Sequence, residues 1–527
     1  MYDWHSAGLD STVQAPSRTL NIDDYGAIGN DTLDDQPAFV AALSECNYQD
    51  AVILVAEGTY VLNKPIYIGP NSRNLIFRGI SSKSIININS SQPHADAFTV
   101  AGKETQDSTY LTKEAFFGQK YLICAQSDIF EEGQDIHITV HDTALIKSSW
   151  AYRSIGMINQ ISSISSDTIF LRHPLSIDLP LKRLPLIRGH QYISHIGFEC
   201  LTLNRLDKTT TQTANIRFIR ANNCWVTNIE SNRTNFAHIG ISQSRNLYIG
   251  QNYFHHSHEY SEGGKGYGIS TDLSTNLVLV ENNILSNLRH GIVIQAGANS
   301  NVFAYNYILN PANIFYGDIV IHGNYPFGNL LEGNVSTSII ADYSHYINGP
   351  GHVLHRNKTV GLGILADANN LDSAIILGNH VYGDGILKGI YIVSGSFNLE
   401  EGNMLDTNFT PNNTTYTTTT SFYRHQKPSF FSPDEVWPPF GNHRNEMNTI
   451  PAQRRYSTAA YTGCNPILGL HEHHITSNHE HEVIIYDLNG NVVSTGTRDI
   501  DTNLPLGLYI VKFIDTNKAE VKKILKF

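Results

Sequence analysis

Between residues 225 and 405 the chain repeats a short unit, in which a few apolar residues lead to an Asn, more apolar residues follow, and a polar break ends the run. The stretches VTNIE, GQNYF, VENNI, AYNYI, LEGNV, LHRNK, ILGNH and EEGNM place that Asn at 228, 252, 282, 306, 334, 357, 379 and 403. The intervals are 24, 30, 24, 28, 23, 22 and 24 residues. Apolar runs this short, interrupted this often by Asn and Gly, predict strands and tight turns. A repeat of roughly 23 residues predicts a solenoid whose coils hold about three strands each. One Asn per coil can adopt left-handed backbone angles and bond its counterparts above and below, so it should form a ladder along one corner.

Two stretches lack the repeat. Residues 105–183, with "AFFGQKYLICAQSDIFEEGQDIHITV" and "AYRSIGMINQISSISSDTIFLRHPL", alternate polar and apolar positions and predict a small β-domain inserted into the first coils. Residues 426–478 are rich in Pro, Asn, Arg and His and predict an irregular linker. The expected divisions are an N-terminal segment with a capping helix (1–62), first coils (63–104), the insert (105–183), the main solenoid (184–425), the linker (426–478) and a C-terminal β-sandwich (479–527).

Composition agrees with an all-β array. A chain of 527 residues exceeds one ordinary core, only 16% of it is charged, and Gly (40) and Tyr (27) are plentiful. A net charge of -12 argues against nucleic-acid binding, which needs a basic face. Cys46, Cys124, Cys200, Cys224 and Cys464 are odd in number and scattered, so they are expected to be buried thiols rather than a disulfide frame or zinc ribbon. No apolar run approaches the ~20 residues that span a bilayer.

The opening stretch "NIDDYGAIGNDTLDDQPAFVAAL" (21–43) reads as a strand, a Gly-rich turn, carboxylates at Asp34 and Asp35, and an amphipathic helix. It resembles the opening segment of the pectate-lyase-like superfamily at Tyr25, Gly26, Ala27, Gly29, Asp34, Asp35 and Ala38, while Asn30 and Thr32 replace the usual Asp and Gly. That resemblance implies a right-handed parallel β-helix capped by the helix, and says nothing of the reaction. The tail "VIIYDLNGNVVSTGTRDIDTNLPLGLYIVKF" has hairpin signals at Asn489-Gly490 and Pro505-Leu506-Gly507 and resembles a Bacteroidetes type IX secretion sorting domain. The central region, from "NCWVTNIES" through "YFHHSHEY" and "RHGIVIQAGANSNVFAYNY", is similar to secreted Bacteroidetes β-helix proteins. These resemblances imply a secreted or cell-surface protein, a removed signal peptide and the type IX machinery as a partner.

The strands after each Asn align as "IGISQS" (239–244), "YGISTD" (267–272), "HGIVIQ" (290–295), "GDIVIH" (317–322) and "LGILAD" (362–367). Neighbouring coils lie about 4.8 Å apart, so Ser244, Asp272, Gln295, His322 and Asp367 are expected to form a polar column. Tyr267 and His290 should stack at the other edge, with Arg289 beside them. The surplus residues of two long intervals, "HHSHEYSEGGKGYG" (255–268) and "IHGNYPFG" (321–328), are expected to overhang the same face.

Catalytic candidates are therefore His290, Arg289, His322, Lys265 and Tyr267, and substrate-binding candidates His256, Glu259, Asp272, Gln295, Asp318, Tyr325 and His345. Removing a uronate C5 proton needs a cation on the carboxylate, a base and a proton donor. Arg289 or Lys265, His290 or His322, and Tyr267 or Tyr325 supply those types. Hydrolysis needs two facing carboxylates, for which Asp272, Asp318 and Glu259 are available. The expectation is a monomeric enzyme on an acidic polysaccharide, a lyase first and a hydrolase second. A non-catalytic glycan-binding or adhesive protein is the competing class. The "HHSHE" run lacks metal-ligand spacing, so no metal ligands are assigned, and a calcium ion (Ca2+) is the one cofactor left open.

Overall fold

The computed structural model describes residues 2–10, 13–90, 95–261, 263–366, 370–406, 420–441 and 448–464, with the backbone of strands at 408–410 and within 482–526. The chain winds into a parallel β-helix with three walls. Wall one is a 13-stranded sheet from Arg18–Asn21 to Leu399–Glu401. Walls two and three merge into a 20-stranded sheet, because Val335–Ala341 and Lys358–Ala366 run straight through a corner that loops turn in earlier coils.

Interior positions repeat in register. Ile239, Ile269, Ile292 and Ile319 stack one above another, as do Ile241, Ile294 and Ile321 with Thr271 in the same column. Each buried aliphatic side chain contributes ~1.5–3 kcal/mol, and the branched shape suits a pleated wall. The helix Gln36–Glu45 closes one end, with Ala38, Phe39, Ala42 and Leu43 joining the same core. Asp35 does not bond the helix it precedes; its carboxylate accepts from the Ile28 and Val61 amides and ties the opening turn to the first coil.

The Asn ladder is present, with two register corrections. Its members are Asn252, Asn283, Asn306, Asn334, Asn357, Asn379 and Asn403, each but the last donating Nδ2 to the next Oδ1 at 2.9–3.0 Å. In "VENNI" the rung is Asn283 and not Asn282, and in "VTNIE" Ile229, not Asn228, holds the equivalent place. The left-handed residue is the one before each ladder position, as at Asn228 before Ile229 and at Gln251, Asn282, Tyr305 and Arg356 before their Asn, where φ is 53–61°. The turn and the ladder are thus assigned to adjacent positions.

Wall one is covered outside. Outward Val52, Ile76, Leu279, Val302, Leu330 and Val353 pack against Trp4, Ala7 and Leu9 from the N-terminal segment and against Tyr423, Phe431, Phe440 and Ile450. The 426–478 stretch includes a short helix, Pro451–Ser457, within this cover. Between Lys103 and Gln191 six strands form a separate antiparallel sheet. Its core takes in Leu273, Ala296, Tyr325 and Phe327, so it stands on the corner where wall three ends. A buried cluster fixes it: Arg245 Nη2 lies 2.8 Å from Asp135 of that sheet, and Arg245 Nη1 3.1 Å from Asp10.

The described strands of the tail form one four-stranded antiparallel sheet. The turn residues Asn489-Gly490 and Pro505-Leu506 lie outside the described residues. Four cysteines are buried and Cys464 is partly exposed. Among the described residues no helix is long and apolar enough to cross a membrane.

Candidate functional site on wall three

Two glycines decide where the key side chains point. A Cβ on Gly268 would lie 2.4 Å from Leu285 Cδ2 and from the Gly291 carbonyl oxygen, and one on Gly291 would lie 2.6 Å from Ile308 Cγ2. Leu285 and Ile308 belong to the interior, so both glycines face inward, beside the inward Ile269 and Ile292. Strict alternation breaks there, and the preceding residues, Tyr267 and His290, swing to the outer face. They pair in register. Tyr267 lies over Val293 and beside Phe236 on the outside of the wall.

A run of rings follows. His290 is 5.1 Å from Tyr267, 6.2 Å from Tyr316 and 5.8 Å from His322, and His322 is 4.9 Å from His345. The Nδ1 of His290 donates to the Gly317 carbonyl at 2.9 Å, since a carbonyl can only accept. Its Nε2 then carries the lone pair, and it is buried without a partner. Burial pushes this imidazole down to about 3, so it is neutral near pH 7. A buried, unsatisfied acceptor on an outer wall is the kind of exception that marks a site.

His322 Nδ1 lies 2.6 Å from Asp342 Oδ2. The carboxylate accepts, so Nδ1 donates to it, and Nε2 is the ring nitrogen on the other side. Burial works to raise the Asp342 carboxyl, but the His322 contacts outweigh it and hold it below its ordinary range. Arg289 is the nearby cation. Its guanidinium sits 4.9 Å over Tyr316, Nη1 donates to the Ser261 carbonyl at 2.6 Å, and among the described residues it has no carboxylate partner.

The polar column exists with altered membership. Ser242 is in register with Asp272. Backbone bonds from Gln295 to Thr271, His322 to Ile294 and Asp342 to Ile321 carry the same position through the next three coils. Ser244 sits two residues late, in the turn, where its hydroxyl donates to the Ser242 carbonyl. Asp342 continues the column one coil beyond His322, and Asp367 lies outside the described residues. Asp272 accepts from Ser242, and burial pushes its carboxyl up to about 6.

Five candidates do not join the cluster. Lys265 is ion-paired with Glu259 at 2.9 Å, and Glu259 also faces Lys208 at 3.6 Å. Hydrogen bonds from Ser261 and Lys265 draw the Glu259 carboxyl down to about 2, which leaves that pair committed to shaping the loop. Exposed His256 bonds His255 at the corner of wall two. Asp318, 2% exposed, accepts from the Thr337 amide and hydroxyl at 2.6 and 2.7 Å, so its carboxylate braces an irregular strand and is not offered to the groove. Tyr325 packs into the antiparallel domain's core, because Asn324 of the same turn accepts from the Lys147 and Ser148 amides. The 321–328 turn therefore carries that domain and does not overhang the groove.

His345 does belong, beside His322 and 3.3 Å from Ser148 Oγ. The sequence reading missed Asp342 and Tyr316. Asp342 was hidden because Val335–Ala341 crosses the corner without a loop, so counting from the Asn fails; the run "SIIAD", apolar residues ending in a carboxylate, was its signal. Among the described residues no group of three or more His, Cys, Asp or Glu side chains is arranged to hold a metal ion.

With this geometry in hand, the comparisons add a family likeness at one end and a fold likeness over most of the length. Residues 19–166 match the family described as rhamnogalacturonase A/epimerase, pectate lyase-like. The match ends well before Tyr267, so it carries no role onto the cluster. The tailspike protein gp49 of Pseudomonas phage LKA1 superposes with a TM-score of 0.56 at 14% identity, over 68% of this chain and 64% of its own. This chain thus spans under two thirds of that tailspike, and at such identity the likeness is one of fold. The gp54 tailspike of Acinetobacter baumannii bacteriophage AP22, solved with a capsular saccharide, gives 0.48 at 12% identity over 73% and 69% of the two chains. The tailspike of E. coli bacteriophage HK620, solved with a pentasaccharide, gives 0.43 at 11% over 73% and 61%. No curated protein sequence matches the chain.

Proposed function

We propose that this protein is a secreted or surface enzyme that cleaves an acidic, uronate-containing polysaccharide by β-elimination, acting as a monomer. The observation that carries the reading is the His322–Asp342 contact on an outer wall, one ring away from His290 and near a cation, Arg289, that lacks a carboxylate partner among the described residues. In this reading Arg289 faces the uronate carboxylate and acidifies the C5 proton, and His322 Nε2 removes it. The electron pair forms the C4–C5 double bond and expels the O4-linked sugar, whose oxygen takes a proton from Tyr316. Asp342 orients His322 and stabilises its charged form. The partial family match, whose description joins a rhamnogalacturonase to an epimerase, supports a pectic class of substrate. The tail's resemblance to a type IX sorting domain supports export.

Hydrolysis fits less well. Asp272 and Asp342 are three coil spacings apart, roughly 14 Å at ~4.8 Å each, beyond the ~5–9.5 Å that carboxylate pairs need. Glu259 and Asp318 are engaged elsewhere. Glycan binding without turnover is favoured by one observation, that Tyr267 and His290 are only 4% and 3% exposed.

A panel of uronate polysaccharides, followed by the ultraviolet absorbance of an unsaturated product, tests the proposal. Turnover should be seen with at least one substrate and fall ~10²–10⁴-fold in His322→Ala. Reducing ends without absorbance would establish a hydrolase instead, and binding without either product would leave a glycan-binding protein.

A further inference from the structure

Beyond His345 the wall continues into a patch of exposed rings that the chemistry above does not use. Trp150, carried on the short turn Ser149–Ala151 of the antiparallel domain, is 49% exposed and stands edge-on to His345 at 6.2 Å and 87°. Tyr343, also 49% exposed, meets Tyr346 at 5.4 Å on the turn that follows Asp342. Single exposed aromatics are ordinary. Here exposed Trp150 stands against His345, exposed Tyr343 and half-buried Tyr346 flank His345 on the same turn, and His345 touches the candidate base.

The turn that presents them is held firmly. Asp342 accepts from the Ser344 amide at 3.1 Å, Asn348 Nδ2 donates to the Asp342 carbonyl at 3.1 Å, and Asn348 Oδ1 accepts from the Gly323 amide at 2.8 Å. On the facing side Ser148 and Lys147 both donate their amides to Asn324 Oδ1, at 3.3 and 3.2 Å, which fixes the Trp150 turn against the β-helix. The rings therefore stand on a braced surface, with the exposed Lys147 beside them.

We infer that Trp150, Tyr343 and Tyr346 form a sugar-stacking subsite, taking the flat C–H faces of pyranose rings in the polysaccharide whose reacting unit lies at His322. A pyranose presents an apolar face and a polar rim, which suits an aromatic that is itself half wet, and Lys147 suits a carboxylate on the rim. The antiparallel domain thus completes the groove in addition to decorating the coil. This inference rests on the polysaccharide reading above, but not on the lyase chemistry.

The test is binding of defined oligogalacturonate, oligomannuronate and chondroitin oligosaccharides, from di- to hexasaccharide, by calorimetry and by tryptophan fluorescence. The intact chain should bind a hexasaccharide of one series with quenching of Trp150. Trp150→Ala should weaken that hexasaccharide ~5–20-fold, a loss that grows with oligosaccharide length, and Trp150→Phe should recover most of it. Because Trp150 is half exposed, a thermal melt matching the parent shows that the loss is not one of folding. Affinity equal in parent and Trp150→Ala, or no binding of any series, overturns the subsite. Trp150-dependent binding without turnover would keep the subsite and discard the lyase; turnover insensitive to Trp150 would do the reverse.

Discussion

Replacing Asn306 by Ala removes one rung of the ladder, and the structure says what is lost. Asn306 Nδ2 donates to the Val280 carbonyl at 2.9 Å and to Asn334 Oδ1 at 3.0 Å, while Asn306 Oδ1 accepts from the Asn283 amide at 3.1 Å and from Asn283 Nδ2 at 2.9 Å. All of this is fully buried, so water cannot step in. Four bonds at ~1 kcal/mol net each, with the stranded Asn283 amide adding ~1–3, place the loss at about 5–7 kcal/mol. Asn228 is the control. The sequence pattern treats the two alike, but Asn228 occupies the left-handed slot (φ 55°) and among the described residues its side chain accepts only from the Gly463 amide, at 3.2 Å. Asn228→Gly keeps that backbone accessible and should cost no more than ~1 kcal/mol. Urea unfolding followed by far-ultraviolet circular dichroism and by fluorescence measures both. Stacked coils need not melt as one unit, so midpoints as well as slopes should be compared. Equal losses in the two variants, or a loss under 1 kcal/mol for Asn306→Ala, would refute the ladder register argued from the structure.

Other outcomes follow from the same geometry. Arg245→Ala leaves Asp135 and Asp10 without their shared cation in a site where Arg245 is 1% exposed, and should cost ~3–5 kcal/mol in thermal or denaturant unfolding, more than Arg245→Met would if packing dominated. Burial pushes His238 and His290 down to about 3 and His190 and His352 to about 4, so between there and the ordinary value of about 6.5 the unfolded chain binds protons that the folded chain does not. Stability should fall as pH drops through that window, by ~1.4 kcal/mol per pH unit for each histidine. Asp272 and Asp318, raised to about 6 by burial, act in the opposite sense and offset part of it. His238→Gln should flatten the pH dependence by about one proton, and an unchanged slope would count against the assignment. Asp342→Asn removes the charge behind His322, so turnover on any substrate found should fall ~10²-fold, with melting little changed. A turnover loss that tracks a loss of fold would instead make Asp342 structural.

What the chain determines by itself is whatever a period can carry. The spacing of Asn and short apolar runs specified stacked strands, the opening stretch specified a capped end, and alignment of like strands put Tyr267 against His290 and ran Asp272, Gln295 and His322 down one face. Those features are local, repeated and tied to one coil spacing, so neighbours in the pattern are neighbours in space.

The rest waited on tertiary structure because it depends on where alternation breaks and on what reaches in from far away. The inward glycines 268 and 291 turn Tyr267 and His290 outward, and no period announces such a break. Asp342 joins the column only because one strand crosses a corner that others loop around, which shifts its distance from the ladder. Asp318 and Tyr325 have the chemistry expected of site residues, but one braces a strand irregularity and the other fills the antiparallel domain's core. That domain, whose Ser148 lies 176 residues before Asn324 of the turn it stands on, brings Ser148 and Trp150 beside His345. Side-chain direction at a corner and contacts between distant segments are set by packing, which residue spacing does not encode.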